Sequence, residues 1–211
     1  MTLRMKISRL EPSRRRKGIF LVHLEDGSLL RVREGETAQF ALYAGKELDG
    51  ETLEQLRRAA RTSDLKERAL SALERRPLSR KELVDRLLRA EAAQAEAEEV
   101  ADSLERLGLL NDREYAETVV RHYAGKGYGP YKIREELYRR GISRDYWEDV
   151  LSVLEDPAEA IDALLRKQLA GQETDPKTLK RVAGALARRG YRWTDINAGL
   201  RRFGADHMEE D

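Results

Sequence analysis

Residues 121–142 read RHYAGKGYGPYKIREELYRRGI, with cations, glycines and tyrosines crowded around one Gly-Pro pair. Gly129-Pro130 decides how the stretch is read. Proline has no backbone N–H to lose and holds a helical φ, so it belongs in the first turn of a helix. Gly141 follows Arg139-Arg140, and a glycine there suits the left-handed residue that closes a helix. The stretch is therefore a helix entered near Pro130 and closed at Gly141. It is not a phosphate loop: GKGYGP lacks the Gly-Lys-Ser/Thr ending and no strand precedes it.

The same pattern recurs. Lys132-Ile133-Arg134 through Arg139-Arg140-Gly141-Ile142 aligns with Arg181-Val182-Ala183 through Arg188-Arg189-Gly190-Tyr191 at an offset of 49 residues. At an offset near 50 towards the N-terminus, Leu83, Leu87, Val100 and Leu104 replace Ile133, Leu137, Val150 and Leu154. A period in this range marks stacked helical repeats. Start signals agree: Ser79-Arg-Lys-Glu82 is a capping box, and Asp156-Pro157 and Asp175-Pro176 place an N-cap acid before a proline. Ser63-Asp-Leu-Lys66 reads as a further helix start with serine or aspartate as cap. The apolar stripe of the first repeat reads Ala97, Val100, Leu104, Leu107.

The first fifty residues differ. Gly18–Arg33 reads as two β-rich runs joined at Asp26-Gly27, which supplies a tight hairpin turn. Met5–Leu10 alternates as a third strand, Thr37–Tyr43 reads as a short helix, and GKELDGE is a turn into the next. The predicted fold is mainly α: an elongated array of three tandem three-helix units with a small β-hairpin-containing N-terminal domain. The predicted segments are a β-rich domain 1–50, a helical linker 51–64, repeats 65–110, 112–155 and 157–203, and an acidic tail 204–211.

Of the 211 residues, 37% are charged and 6% aromatic, and there is no cysteine. Disulfides and thiolate metal sites are thereby excluded. No apolar run is long enough to span a bilayer, so a soluble, cytoplasmic, monomeric protein without membrane contact is expected. The net charge of +1 hides segregation: residues 1–20 carry seven Lys/Arg against one Glu. Arg14, Arg15, Arg16 and Lys17 are expected in an exposed loop.

Catalytic constellations are poor. His23, His122 and His207 are isolated, and none stands at ligand spacing with another histidine. No enzyme, cofactor or metal is expected. Trp147 falls on its helix's apolar stripe, and Trp193 is expected to pack at a helix start. The basic residues carry the functional signal. Arg121, Lys126, Lys132, Arg134, Arg139 and Arg140 gather around the Gly-Pro helix, with Tyr128 and Tyr131 beside them. Lys180, Arg181, Arg188 and Arg189 repeat the trend in the third unit. Cations presented on successive helices suit nucleic-acid phosphates or an acidic protein groove.

Leu104-Glu-Arg-Leu-Gly-Leu-Leu-Asn-Asp112, Tyr115-Ala116 and Lys126-Gly-Tyr-Gly-Pro-Tyr-Lys-Ile-Arg-Glu-Glu-Leu-Tyr-Arg-Arg-Gly-Ile142 together resemble the RecX family, bacterial regulators of the RecA recombinase. The likeness is strong over about 65–155 and looser over 157–203. At the end of the first repeat's middle helix, Ala90-Glu91 stands where the second has Arg140-Gly141. The resemblance implies a helical array lying in the groove of a RecA–single-stranded DNA filament and modulating, mostly inhibiting, ATP hydrolysis and strand exchange. It also implies that the twelve residues named above, from Arg121 to Arg189, contact RecA or, more weakly, single- and double-stranded DNA. Without the resemblance, a DNA- or RNA-binding helical protein acting alone fits the same residues.

Overall fold

The computed structural model describes residues 4–154, 156–171 and 175–208, with side chains through residue 204. The acidic-tail side chains beyond residue 204, His207 included, lie outside the described residues.

Four antiparallel strands form the N-terminal sheet: β1 (Arg4–Pro12), β2 (Ile19–Leu24), β3 (Leu29–Arg33) and β4 (Glu47–Asp49), in the order β3-β2-β1-β4. The hairpin turns at Asp26-Gly27, where Gly27 has φ +82° and Asp26 accepts from the Ser28 N–H at 2.8 Å. β4 was not foreseen; Glu47–Asp49 pairs with Arg4–Lys6 instead of merely turning. Such a short run has no alternation to read, and its partner lies some forty residues upstream. A short helix, α1 (Glu34–Gln39), starts and ends earlier than the Thr37–Tyr43 expected.

Helix α2 (Gly50–Arg75) begins at the Asp49 cap, whose carboxylate accepts from Thr52 N–H at 2.8 Å. It runs unbroken through Ser63-Asp64, so the helix start expected there does not exist. Ser63 instead donates to Glu36 from mid-helix. Leu53 and Leu56 of its first turns share a core with Ile7, Val22, Leu24, Val32 and Leu48 of the sheet.

The remaining helices are α3 (Arg80–Arg89), α4 (Gln94–Arg106), α5 (Asp112–Gly125), α6 (Pro130–Arg139), α7 (Trp147–Leu151), α8 (Pro157–Leu169), α9 (Pro176–Arg188) and α10 (Trp193–Met208), with a 3-10 turn at Arg144–Tyr146 before α7. The fold is thus mainly α with a small N-terminal sheet. The chain divides into two compact units: residues to Arg76 with Val84–Leu104, and Pro77–Leu83 with Glu105 onward.

Within the second unit there are two apolar clusters. Tyr115, Val119, Val120, Ile133, Leu137, Ile142 and Val150 pack together from α5–α7, with Trp147 half-buried against them. Ile161, Leu165, Leu169, Val182, Leu186, Tyr191 and Ile196 do so from α8–α10. The stripe ends differ from expectation in two places. Leu107 lies beyond α4 and is 59% exposed, and Trp193 is 56% exposed. Tyr191 and Ile196 fill the core positions flanking the start of α10, which leaves Trp193 outside.

Candidate docking interface

The start of α6 is built on the end of α9. The backbone N–H of Gly129 donates to the Arg189 carbonyl at 2.8 Å, and that of Tyr131 to the Gly190 carbonyl at 3.2 Å. Helix starts and ends leave orphan N–H and C=O groups; here each end satisfies the other. Pro130, between the two donors, has no N–H to place. A Cβ at Gly129 would stand 2.5 Å from the Gly190 oxygen, and one at Gly190, whose φ is +89°, would stand 2.4 Å from the Lys132 nitrogen. Both positions require glycine.

The head of α3 meets the tail of α6 in the same way, with other chemistry. Ser79 and Glu82 form the expected capping box, each backbone N–H held by the other's side chain at 3.1 Å. The Ser79 hydroxyl also donates to the Arg140 carbonyl at 2.5 Å. Gly141, φ +72°, closes α6, and a Cβ there would meet the Lys81 side chain. Arg140 donates to Glu82 at 3.1 Å and to the Tyr115 hydroxyl, and its guanidinium lies 5.6 Å from the Tyr115 ring centroid. Arg80 N–H donates to Asp112 at 2.7 Å. Burial pushes the Asp112 carboxyl above its ordinary range, against the pull of that hydrogen bond, and the Glu105 charge adds to the rise.

The twelve residues expected to contact a partner therefore separate. Arg140 is only 18% exposed and is committed to the α3–α6 joint. An alanine there cannot be neutral for stability, contrary to what an exposed helical position would allow. Arg189 is committed to the α6–α9 joint, donating to the Lys126 and Gly127 carbonyls at 2.8 and 3.2 Å, with Tyr128 5.7 Å from its guanidinium. Tyr128 itself is half-buried against the α5–α7 cluster.

Others are ion-paired, Lys132 half-buried and Arg139 and Arg121 exposed. Lys132 holds Glu135 at 2.8 Å, which raises the lysine pKa. Arg139 holds Glu136 at 2.6 Å. Burial alone would raise the Glu136 pKa, but Arg139, Tyr123 and Arg140 together hold it below its ordinary value. Arg121 stays on α5 beside Glu117 at 3.8 Å. Arg181 is exposed on α9.

Lys126, Arg134, Lys180 and Arg188 remain, all exposed and without a side-chain partner among the described residues. Lys180 and Arg188 lie on the solvent side of α9, opposite buried Val182, Ala183 and Leu186. Arg134 borders a cleft of about 210 Å³ with Tyr131, Tyr191, Arg192 and Asp195. Tyr131, 48% exposed, accepts from Arg192 Nε at 2.7 Å, and the guanidinium lies 5.2 Å from its ring centroid. Sequence reasoning missed the exposure of Trp193 and of Tyr138, which is 68% exposed. Tyr138 was legible, since it follows Leu137 on a helix whose stripe was already assigned.

A tandem three-helix-repeat protein with an N-terminal antiparallel sheet is the class these features define. The model for RecX, second three-helix domain, matches residues 111–151. The chain is 38% identical over 141 residues to regulatory protein RecX of Xanthomonas axonopodis pv. citri (strain 306), covering 64% of this chain and 85% of that one. To regulatory protein RecX of Chlorobium phaeobacteroides (strain BS1) it is 33% identical over 128 residues, covering 58% and 82%. A crystal structure of regulatory protein RecX superposes with a TM-score of 0.71 at 24% identity, over 92% of this chain and 97% of that one. The RecX structure from Lactobacillus salivarius gives 0.60 at 24% identity, over 68% and 97%. The chain belongs to the RecX family of regulatory proteins.

Proposed function

We propose that this protein binds the RecA–single-stranded DNA filament and restrains its ATP hydrolysis and strand exchange, docking through the cationic face of α6 and α9. The observation that carries the reading is the separation of cations by role. Arg140 and Arg189 lock the middle helices at their ends, while Lys126, Arg134, Lys180 and Arg188 stand exposed, with no side-chain partner among the described residues, on that rigid support. Holding charges on a fixed frame lowers the ordering penalty of binding. Exposed charges of one sign also speed encounter with an anionic filament. The role is contact rather than catalysis, in keeping with the regulatory family, and it places the protein where RecA acts, in the cytoplasm.

The test is inhibition of RecA ATP hydrolysis by a variant carrying Lys126→Ala, Arg134→Ala, Lys180→Ala and Arg188→Ala. The concentration needed for half-inhibition should rise at least tenfold, about 1.4 kcal/mol. Thermal unfolding should be unchanged, because exposed positions on helices and at the turn holding Lys126 accept alanine readily. Full inhibition by the folded variant would reject this face as the docking site.

A further inference from the structure

An arginine-rich concavity lies within the first compact unit, on elements other than α6 and α9. A cleft of about 490 Å³ is lined by Arg16, Arg31, Arg68, Arg75 and Arg86, with Asp64 and Glu67 as its acids. Both acids are spoken for. Arg68 holds Asp64 at 2.8 Å, while Arg33 and Arg16 hold Glu67 at 2.5 and 3.8 Å. Arg31, Arg75 and Arg86 are exposed and have no side-chain partner among the described residues.

Three separate elements aim these cations at one place. On α2, Asp64, Arg68, Ser71 and Arg75 recur at the four- and three-residue steps that share a helix face. On β3, Arg31 alternates with Val32, which is 1% exposed in the core. On α3, Arg86 sits beside Leu87, which is 1% exposed. A second cleft of about 510 Å³ shares Arg16 and Arg31 with the first and adds Arg9, Arg14 and Arg15 from β1 and its loop. Both clefts are lined with arginine and neither with lysine. The guanidinium fork matches phosphate oxygens two at a time.

We infer that this track is a second binding site, gripping the phosphate backbone of nucleic acid independently of the α6–α9 face. Its continuity over two clefts suits an extended, evenly charged chain. An acidic protein would need a cluster of apolar anchors in the groove; Ala72 and Leu87 of the first cleft are 3% and 1% exposed, and among the second cleft's leucines and isoleucine only Leu29 stands out, at 46%. No aromatic residue lines either cleft, so base stacking is not offered there. The site reads charge and is indifferent to sequence. The inference does not depend on RecA being the partner.

The test uses the full chain with Arg31→Gln, Arg75→Gln and Arg86→Gln combined. Fluorescence anisotropy follows its binding to a labelled thymidine oligonucleotide and to a duplex, each of about 30 nucleotides, enough to cover both clefts. Affinity for the single strand should fall at least tenfold, and the slope of log K against log salt should lessen by about 2, or 0.7 per phosphate contact. A parallel loss on duplex marks a general backbone site; a loss on single strands alone marks one shaped for the flexible chain. RecA ATPase inhibition by the α6–α9 variant separates the two sites, since that variant should keep its affinity for the bare oligonucleotide. Should the triple variant unfold, the single substitutions Arg31→Gln and Arg86→Gln should each lower the slope by about 0.7. Unchanged slope and affinity in a folded variant would overturn the site, as would equally tight binding of polyglutamate.

Discussion

The two joints between middle helices solve one geometric problem with different materials. At the α6–α9 joint, backbone meets backbone: two N–H groups of one helix head enter two carbonyls of the next helix tail, and paired glycines allow the approach. At the α3–α6 joint, side chains mediate: the Ser79 hydroxyl, the Arg140–Glu82 ion pair and the Asp112 carboxylate replace those direct contacts. A backbone joint is indifferent to pH and intolerant of volume. A side-chain joint is the reverse. Proline at 130 and arginine at 80 express the same contrast, because the Arg80 N–H needs an acceptor and Pro130 has no N–H to satisfy.

The sharpest way to break this comparison is to add one methyl group to each joint. Gly190→Ala should destabilise by about 4 kcal/mol, combining a left-handed φ with a clash against the Lys132 backbone. Gly141→Ala should lose about 2 kcal/mol, since the obstructing atoms belong to a lysine side chain. Equal losses in chemical denaturation would show that the joints are alike after all.

Removing a guanidinium should reverse the order. Arg140→Met removes the cation that Glu82 and Glu136 share, although Arg139 stays on Glu136, and should destabilise by about 3 kcal/mol. Arg189→Met gives up hydrogen bonds to two carbonyls near solvent and should lose about 1 kcal/mol. Denaturation midpoints at fixed slope measure both.

The smallest effect concerns pH. The Asp112 carboxyl is raised in the folded state, so folding takes up a proton in the window between its unfolded and folded values. The group therefore opposes folding at neutral pH, and that opposition fades as pH falls through the folded value. Asp112→Asn keeps an oxygen for Arg80 N–H and should stabilise the protein at pH 7 by about 1 kcal/mol or less. Below the unfolded value the gain should vanish. A gain that persists at low pH would assign the effect to something other than the carboxyl's charge.

Much of the fold was legible because the repeats carry local signals. Ser79 with Glu82, Asp156-Pro157, Asp175-Pro176 and Gly129-Pro130 announce helix starts from three or four residues of sequence, and all four hold. Ser63-Asp64 carries a similar signal and fails, because Leu65, Ala69 and Ala72 continue a buried stripe and packing overrides the cap. The candidate site was legible only as a pool of cations. Which of them are committed within the fold depends on Glu82, 58 residues from Arg140, and on the Lys126 carbonyl, 63 residues from Arg189. No local window contains such pairings.

Glu91 occupies the place that Gly141 and Gly190 hold in the later repeats, with φ +63° despite its side chain. Among the described residues its carbonyl is not met by another helix head; Arg61 of α2 fills it at 2.8 Å, and the same arginine reaches Glu96 at 2.6 Å. Head-to-tail contact is in principle open-ended, the grammar of a filament rather than of a finite molecule. Arg61 acts as a terminator at the tail of α3. A rule that could polymerise the chain is stopped there by a single side chain.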